Sequence, residues 1–106
     1  MIVPHDRRAH PRLPLQIQIE LRKEGEDVPF RLVTTDLSKG GCYIQMMMTL
    51  AVGTSLNMTL WLNDSAVRVK ARVVTCHPQF GNGLMFVEFQ GDGKELLSRY
   101  LDAMSD

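Results

Sequence analysis

The chain has 106 residues, enough for one domain with one core. Lys plus Arg and Asp plus Glu both number 12, so the formal net charge is zero, which argues against a general nucleic-acid binder that works by neutralising phosphates. No apolar run approaches a membrane span and the N-terminus lacks the apolar region of a secretory signal, so a cytoplasmic protein with two reduced cysteines is expected.

The chain opens on a polar leader, residues 1–13, that carries Arg7, Arg8, His10 and Arg12 in "RRAHPR". It holds Pro4 and Pro11 and precedes any periodic segment, so it is expected to be flexible. Residues 14–106 read as one domain. Leu15, Ile17, Ile19 and Leu21 alternate with polar residues, the mark of a half-buried strand. After "EGED" at 24–27 comes a second strand candidate, Phe30–Thr35, and then the polar stretch "DLSKGG" at 36–41. Cys42–Met47 is the third candidate. The run "MMM" at 46–48 reads equally as core filling or as an adaptable partner surface. Leu56–Leu62 and Val67–Val73 alternate on either side of Asn63-Asp64, a short hairpin signal. Residues 77–83 read as a loop, and Leu84–Phe89 as the sixth strand. Leu96, Leu97, Tyr100, Leu101 and Met104 then follow a helical period, with Asp92 and Glu95 placed to cap it. Six short strands must close to avoid exposed edges. The fold class expected is all-β, a six-stranded antiparallel barrel with a C-terminal helix.

The two polar stretches carry the chemistry. Arg7, Arg8 and Arg12 supply planar forks that bind phosphate and the guanine edge and that stack on bases. Asp36 and Ser38 lie two apart, on one side of an extended backbone, and Gly40 and Gly41 permit close approach of a ligand. Taken alone, "RRAHPR" is a solvated tail and "DLSKGG" an ordinary turn.

Together, in this order and about two dozen residues apart, they resemble the two motifs of PilZ domains. The residues that fit are Arg7, Arg8, Arg12, Asp36, Ser38 and Gly41; "GNGLMFVEF" at 81–89 and the closing helix extend the resemblance over nearly the whole chain. The resemblance implies a split-type β-barrel and binding of cyclic di-GMP, the bacterial second messenger. It implies a receptor rather than an enzyme, acting through a protein partner in motility, exopolysaccharide and biofilm formation, or virulence. Asp36 would accept from guanine N1–H and N2–H, Ser38 would contact base or phosphate, and Gly41 would keep the turn open. His10, Gly40, Arg68 and Arg72 are expected as second-line contacts, with a solvated alternative for His10, Arg68 and Arg72. No cofactor and no metal are expected; His5 and His77 lack partners at ligand spacing.

Two rival readings are an adaptor of this fold that binds no nucleotide, and a small barrel for single-stranded nucleic acid. The second needs an aromatic platform. The chain has seven aromatic residues, and most are expected in the core.

Overall fold

The computed structural model describes residues 11–104. The strands are β1 (Gln18–Lys23), β2 (Phe30–Leu37), β3 (Gly41–Gln45), β4 (Ser55–Leu62), β5 (Ser65–His77) and β6 (Gly81–Phe89). They close an antiparallel barrel in the order β1-β2-β3-β6-β5-β4, and the helix α1 (Gly93–Met104) follows. The expected fold class is therefore the observed one.

Alternation sets the inside. Ile19 and Leu21, Leu56 to Leu62 by twos, and Val67 to Val73 by twos are all buried. Their intervening neighbours face outward, because successive side chains of a strand point to opposite faces. Leu97 and Leu101 of α1 join the same core, and Leu96 and Tyr100 pack against it. The helix starts where Gly93 touches Val67 and Phe89, and ends near the β2–β3 turn, where Lys39 Nζ meets Asp102 Oδ1 at 3.0 Å. Asn63 and Asp64 form the two-residue β4–β5 turn between the paired residues Leu62 and Ser65, with Asn63 at φ 48°.

Register shifts between Thr34 and Asp36 in β2, and at Lys70/Ala71 and Val73/Thr75 in β5, bend the strands. Such bulges add the twist that closure needs. At the first of them the hydroxyl of buried Thr34 enters the ladder, accepting from Ile17 N–H (2.9 Å) and donating to Leu15 C=O (2.7 Å). This is why regular pairing of β1 starts at Gln18, although alternation begins at Leu15.

Three expectations change. The loop at 77–83 shrinks to 78–80, because β5 runs to His77 and β6 begins at Gly81. Asn82 is fully buried there, and its amide binds Leu50 N–H, Leu50 C=O and Thr75 C=O. Those bonds give an apparent loop residue a core position. β3 stops at Gln45, so only Met46 of the methionine run packs on the core, while Met47 and Met48 are 79% and 86% exposed. The aromatics are not mostly core: Phe86 is buried, but Phe30, Trp61 and Phe80 are exposed. They stand on different elements, which still leaves no continuous stacking platform.

Candidate functional site

The "DLSKGG" segment crosses from β2 into the β2–β3 turn. Leu37 pairs with Cys42, leaving residues 38–41 as the connection. Ser38 closes it. Its N–H donates to Gly41 C=O (2.8 Å), and its Oγ accepts from the N–H of both Gly40 and Gly41 (3.1 Å each). Ser38 is buried, so its hydroxyl holds the turn rather than standing free toward solvent. Gly40 C=O accepts from Phe86 N–H at 2.8 Å, tying the turn to β6.

Gly41 has a different reason from the one expected. A Cβ here would lie 2.0 Å from the Leu84 carbonyl oxygen. Glycine is required because β3 and β6 approach too closely here for any side chain.

Asp36 is the motif residue that faces outward. Its carboxylate is partly exposed and accepts from Arg12 Nη1 at 3.2 Å. Arg12 reaches it because Leu13 and Leu37 exchange backbone hydrogen bonds of 2.9 Å in both directions. The last residues of the leader thus lie against β2, while Arg12 Nε is buried without a hydrogen-bond partner among the described residues. Arg7, Arg8 and His10 lie outside the described residues.

The register adds a residue that sequence reasoning missed. Asp36 pairs with Tyr43, Tyr43 with Gly83, and Gly83 with Thr75, one row across β2, β3, β6 and β5. The Tyr43 ring lies over Gly81 and Gly83, where added Cβ atoms would come 2.8 Å and 3.8 Å from ring carbons. Its hydroxyl is hydrogen-bonded to His77 Nδ1 at 2.9 Å. An aromatic side chain therefore stands beside the carboxylate, with its orientation held at both ends. The signal was available: a hairpin closed at Leu37–Cys42 sets residue 36 opposite residue 43.

The second-line cations separate. Arg72 pairs with Met85, and Met85 with Gly41, so Arg72 lies about 10 Å from the turn along one row. Arg68 is four residues further along β5 and pairs with Thr59 on the other side of the barrel. Directly inside the turn, burial pushes the Cys42 thiol up to about 12; Asp36 adds to the rise and Arg12 opposes it. The thiol is neutral at physiological pH and is no nucleophile. Among the described residues no group of His, Cys, Asp or Glu could hold a metal ion, and no helix is long and apolar enough to cross a membrane.

A closed six-stranded barrel with a C-terminal helix, and an Arg–Asp pair beside the β2–β3 turn, define the class. The PilZ domain family profile matches residues 6–103, and the chain belongs to that family. The family comprises regulatory binding domains rather than enzymes. No curated protein matches the sequence. Among solved structures, the PilZ domain of CeSA from a cellulose-synthesizing bacterium is 19% identical, with a TM-score of 0.71, over 91% of this chain and 99% of that one. The Bacillus subtilis inhibitor of motility, MotI/DgrA, is 17% identical with a TM-score of 0.79; the match covers 95% of this chain and 52% of that protein, so this chain spans about half its length. The PilZ domain of YcgR from Escherichia coli, solved with c-di-GMP, is 13% identical with a TM-score of 0.67, over 94% and 92% of the two chains.

Proposed function

We propose that this chain is a cyclic di-GMP receptor that acts through a protein partner, as a regulator in the cytoplasm. The observation that carries the reading is the outward Arg12–Asp36 pair beside Tyr43. Asp36 supplies two acceptor oxygens for guanine N1–H and N2–H. Arg12 supplies donors for a phosphate or for the guanine O6/N7 edge. Tyr43 supplies a flat face on which a base can stack. Arg7 and Arg8, two residues of the same motif, bring further forks from the leader, with His10 between them and Arg12. Ser38, Gly40 and Gly41 contribute by shape. They fix the turn so that Asp36 stands at a set height, and the backbone of the turn stays within reach of the ligand.

Arg72 is the nearer of the two outlying arginines and is assigned a peripheral phosphate contact. Arg68 is not assigned to the nucleotide. The ligand is the only cofactor-like group that the reading needs. Processes such as motility, exopolysaccharide and biofilm formation, or virulence would be governed by the partner.

Calorimetry with cyclic di-GMP tests the reading and gives the stoichiometry. Saturable binding, weakened tenfold or more by Asp36→Ala in a folded variant, is the expected result. Absence of heat at tens of micromolar ligand would leave the rival reading, a nucleotide-free adaptor of the same fold.

A further inference from the structure

The barrel face turned away from Asp36 has its own chemistry. On β1, β4 and β5 the register builds three outward rows. The first holds Val33 of β2 with Gln18, and Trp61 with Ala66, the two pairs meeting in one hollow; the second Arg31 of β2, Glu20, Thr59 and Arg68; the third Arg22, Asn57, Lys70 and Glu88 of β6. Four cations thus face two carboxylates. Glu20 is shared between Arg22 at 3.7 Å and Arg31 at 3.6 Å, and no ion pair among the described residues engages Arg68 or Lys70. Arg22 Nε is buried without a partner among the described residues. A polar groove of about 550 Å³ runs along Arg22, Asn57, Thr59, Arg68 and Lys70, three cations to the one carboxylate of Glu20, and Trp61 forms its wall. On the other side of Trp61, which is 41% exposed, an apolar hollow of about 490 Å³ is lined by Leu32 and Val33. This face suits an acidic segment that carries an apolar side chain.

The chain itself carries such a segment. The β1–β2 connection, residues 24–29, opens with Glu24-Gly25-Glu26-Asp27, three exposed carboxylates with no cation paired to them among the described residues. Val28 follows at 68% exposed, and Phe30 at 38%. The tip is held rather than loose: Glu24 N–H donates to Ser55 C=O, Glu26 N–H donates to Lys23 C=O, and Gly25 takes φ 85°. Acid and apolar groups are therefore presented on a built hairpin whose tip is tied back to Lys23 and Ser55, while the groove is lined mostly by cations.

We infer that the outer face of β1, β4 and β5 receives the β1–β2 hairpin of a second copy of this chain. Glu24, Glu26 and Asp27 meet Arg22, Arg68 and Lys70, and Val28 meets Trp61. Each copy owns both halves of the contact, so mutual exchange closes a symmetric dimer. The nucleotide face on β2, β3 and β6 stays open in that arrangement.

The test is sedimentation of the full chain across a concentration series at low salt. The wild type should be a dimer whose dissociation constant rises as salt is added. Two charge-reversed forms are then made, Arg68→Glu with Lys70→Glu, and Glu24→Lys with Glu26→Lys and Asp27→Lys. Each alone should dimerise at least about tenfold more weakly, because like charges then face each other. An equimolar mixture of the two should restore the dimer, since both contacts regain opposite signs. The only tryptophan is Trp61, so its emission should shift to longer wavelength when the wild type is diluted to monomer. If a reversal prevents folding, Arg68→Gln with Lys70→Gln replaces it and should weaken the dimer several-fold. A wild type that stays monomeric at high concentration and low salt would overturn the inference. So would reversed forms that dimerise like the wild type, or a mixture that stays monomeric.

Discussion

The two outward faces of this barrel use charge in opposite ways. On β2, β3 and β6 the charges are few and already placed. Asp36 is held by Arg12, its neighbour Tyr43 is tied to His77, and a turn closed by the amides of Ser38, Gly40 and Gly41 stands behind them. On β1, β4 and β5 the charges are many and loosely matched, with long ion pairs at Glu20 and, among the described residues, no ion pair to the cations of β5. The first arrangement is preorganised, which suits a small ligand that must be read group by group. The second is a field, which suits a larger surface where complementarity of sign sets affinity and encounter rate. The lesson is that counting arginines does not find the site. Arg68 and Arg72 lie four residues apart on one strand, yet one row leads to the motif turn and the other leads away from it.

The contrast is broken most severely from inside the turn. Gly41→Val forces a Cβ to within 2.0 Å of the Leu84 carbonyl and must separate β3 from β6. A loss on the order of 4 kcal/mol, or failure to fold, is expected in urea melts. A variant as stable as the wild type would show that the strands can part cheaply. Alkaline pH reaches the same place. The buried Cys42 thiol has its pKa raised from 9.0 to about 12, so the folded state holds its proton more tightly than the unfolded chain. Stability is unaffected below pH 9, falls between pH 9 and about 12, and loses up to about 4 kcal/mol over that window. Melts of Cys42→Ala against pH should show that slope removed.

Ligand-face variants come next in size. Asp36→Ala, or Arg12→Ala, should weaken cyclic di-GMP binding tenfold or more, about 1.5–3 kcal/mol for a lost charge-assisted bond, with the fold kept. Arg8→Lys retains charge but not the fork or the plane, and calorimetry should show a substantial loss. Near-normal binding by the lysine form would mean that simple attraction suffices. Tyr43→Ala should cost about 1–3 kcal/mol of binding if a base stacks there, while Tyr43→Phe costs little. Equal binding by both would reduce Tyr43 to a cover for Gly81 and Gly83. The smallest effect sharpens the comparison most: Arg72→Ala should weaken binding a few-fold and lower its salt sensitivity, and Arg68→Ala should leave it unchanged. The reverse ranking would move the nucleotide to the other face.

Much of the fold was legible because alternation is a local property. Ile17, Ile19 and Leu21, or Val67, Val69 and Val73, can only share a face in extended chain, and a chain this small has one core to turn them toward. The motifs were legible as well, since their residue types and spacing sit within short segments. Interactions between distant segments were not. Nothing near position 12 says that Leu13 will pair with Leu37 and set Arg12 against Asp36, 24 residues away. Nothing near Gly41 or Asn82 reveals a carbonyl pressed on one and a buried loop anchored by the other. The order of strands around the barrel, the rows that place Tyr43 beside Asp36 and Arg68 beside Thr59, and the end of β3 before Met46 all depend on register. Register is chosen by packing and bulges over the whole closed sheet, and no single segment of the sequence carries that information.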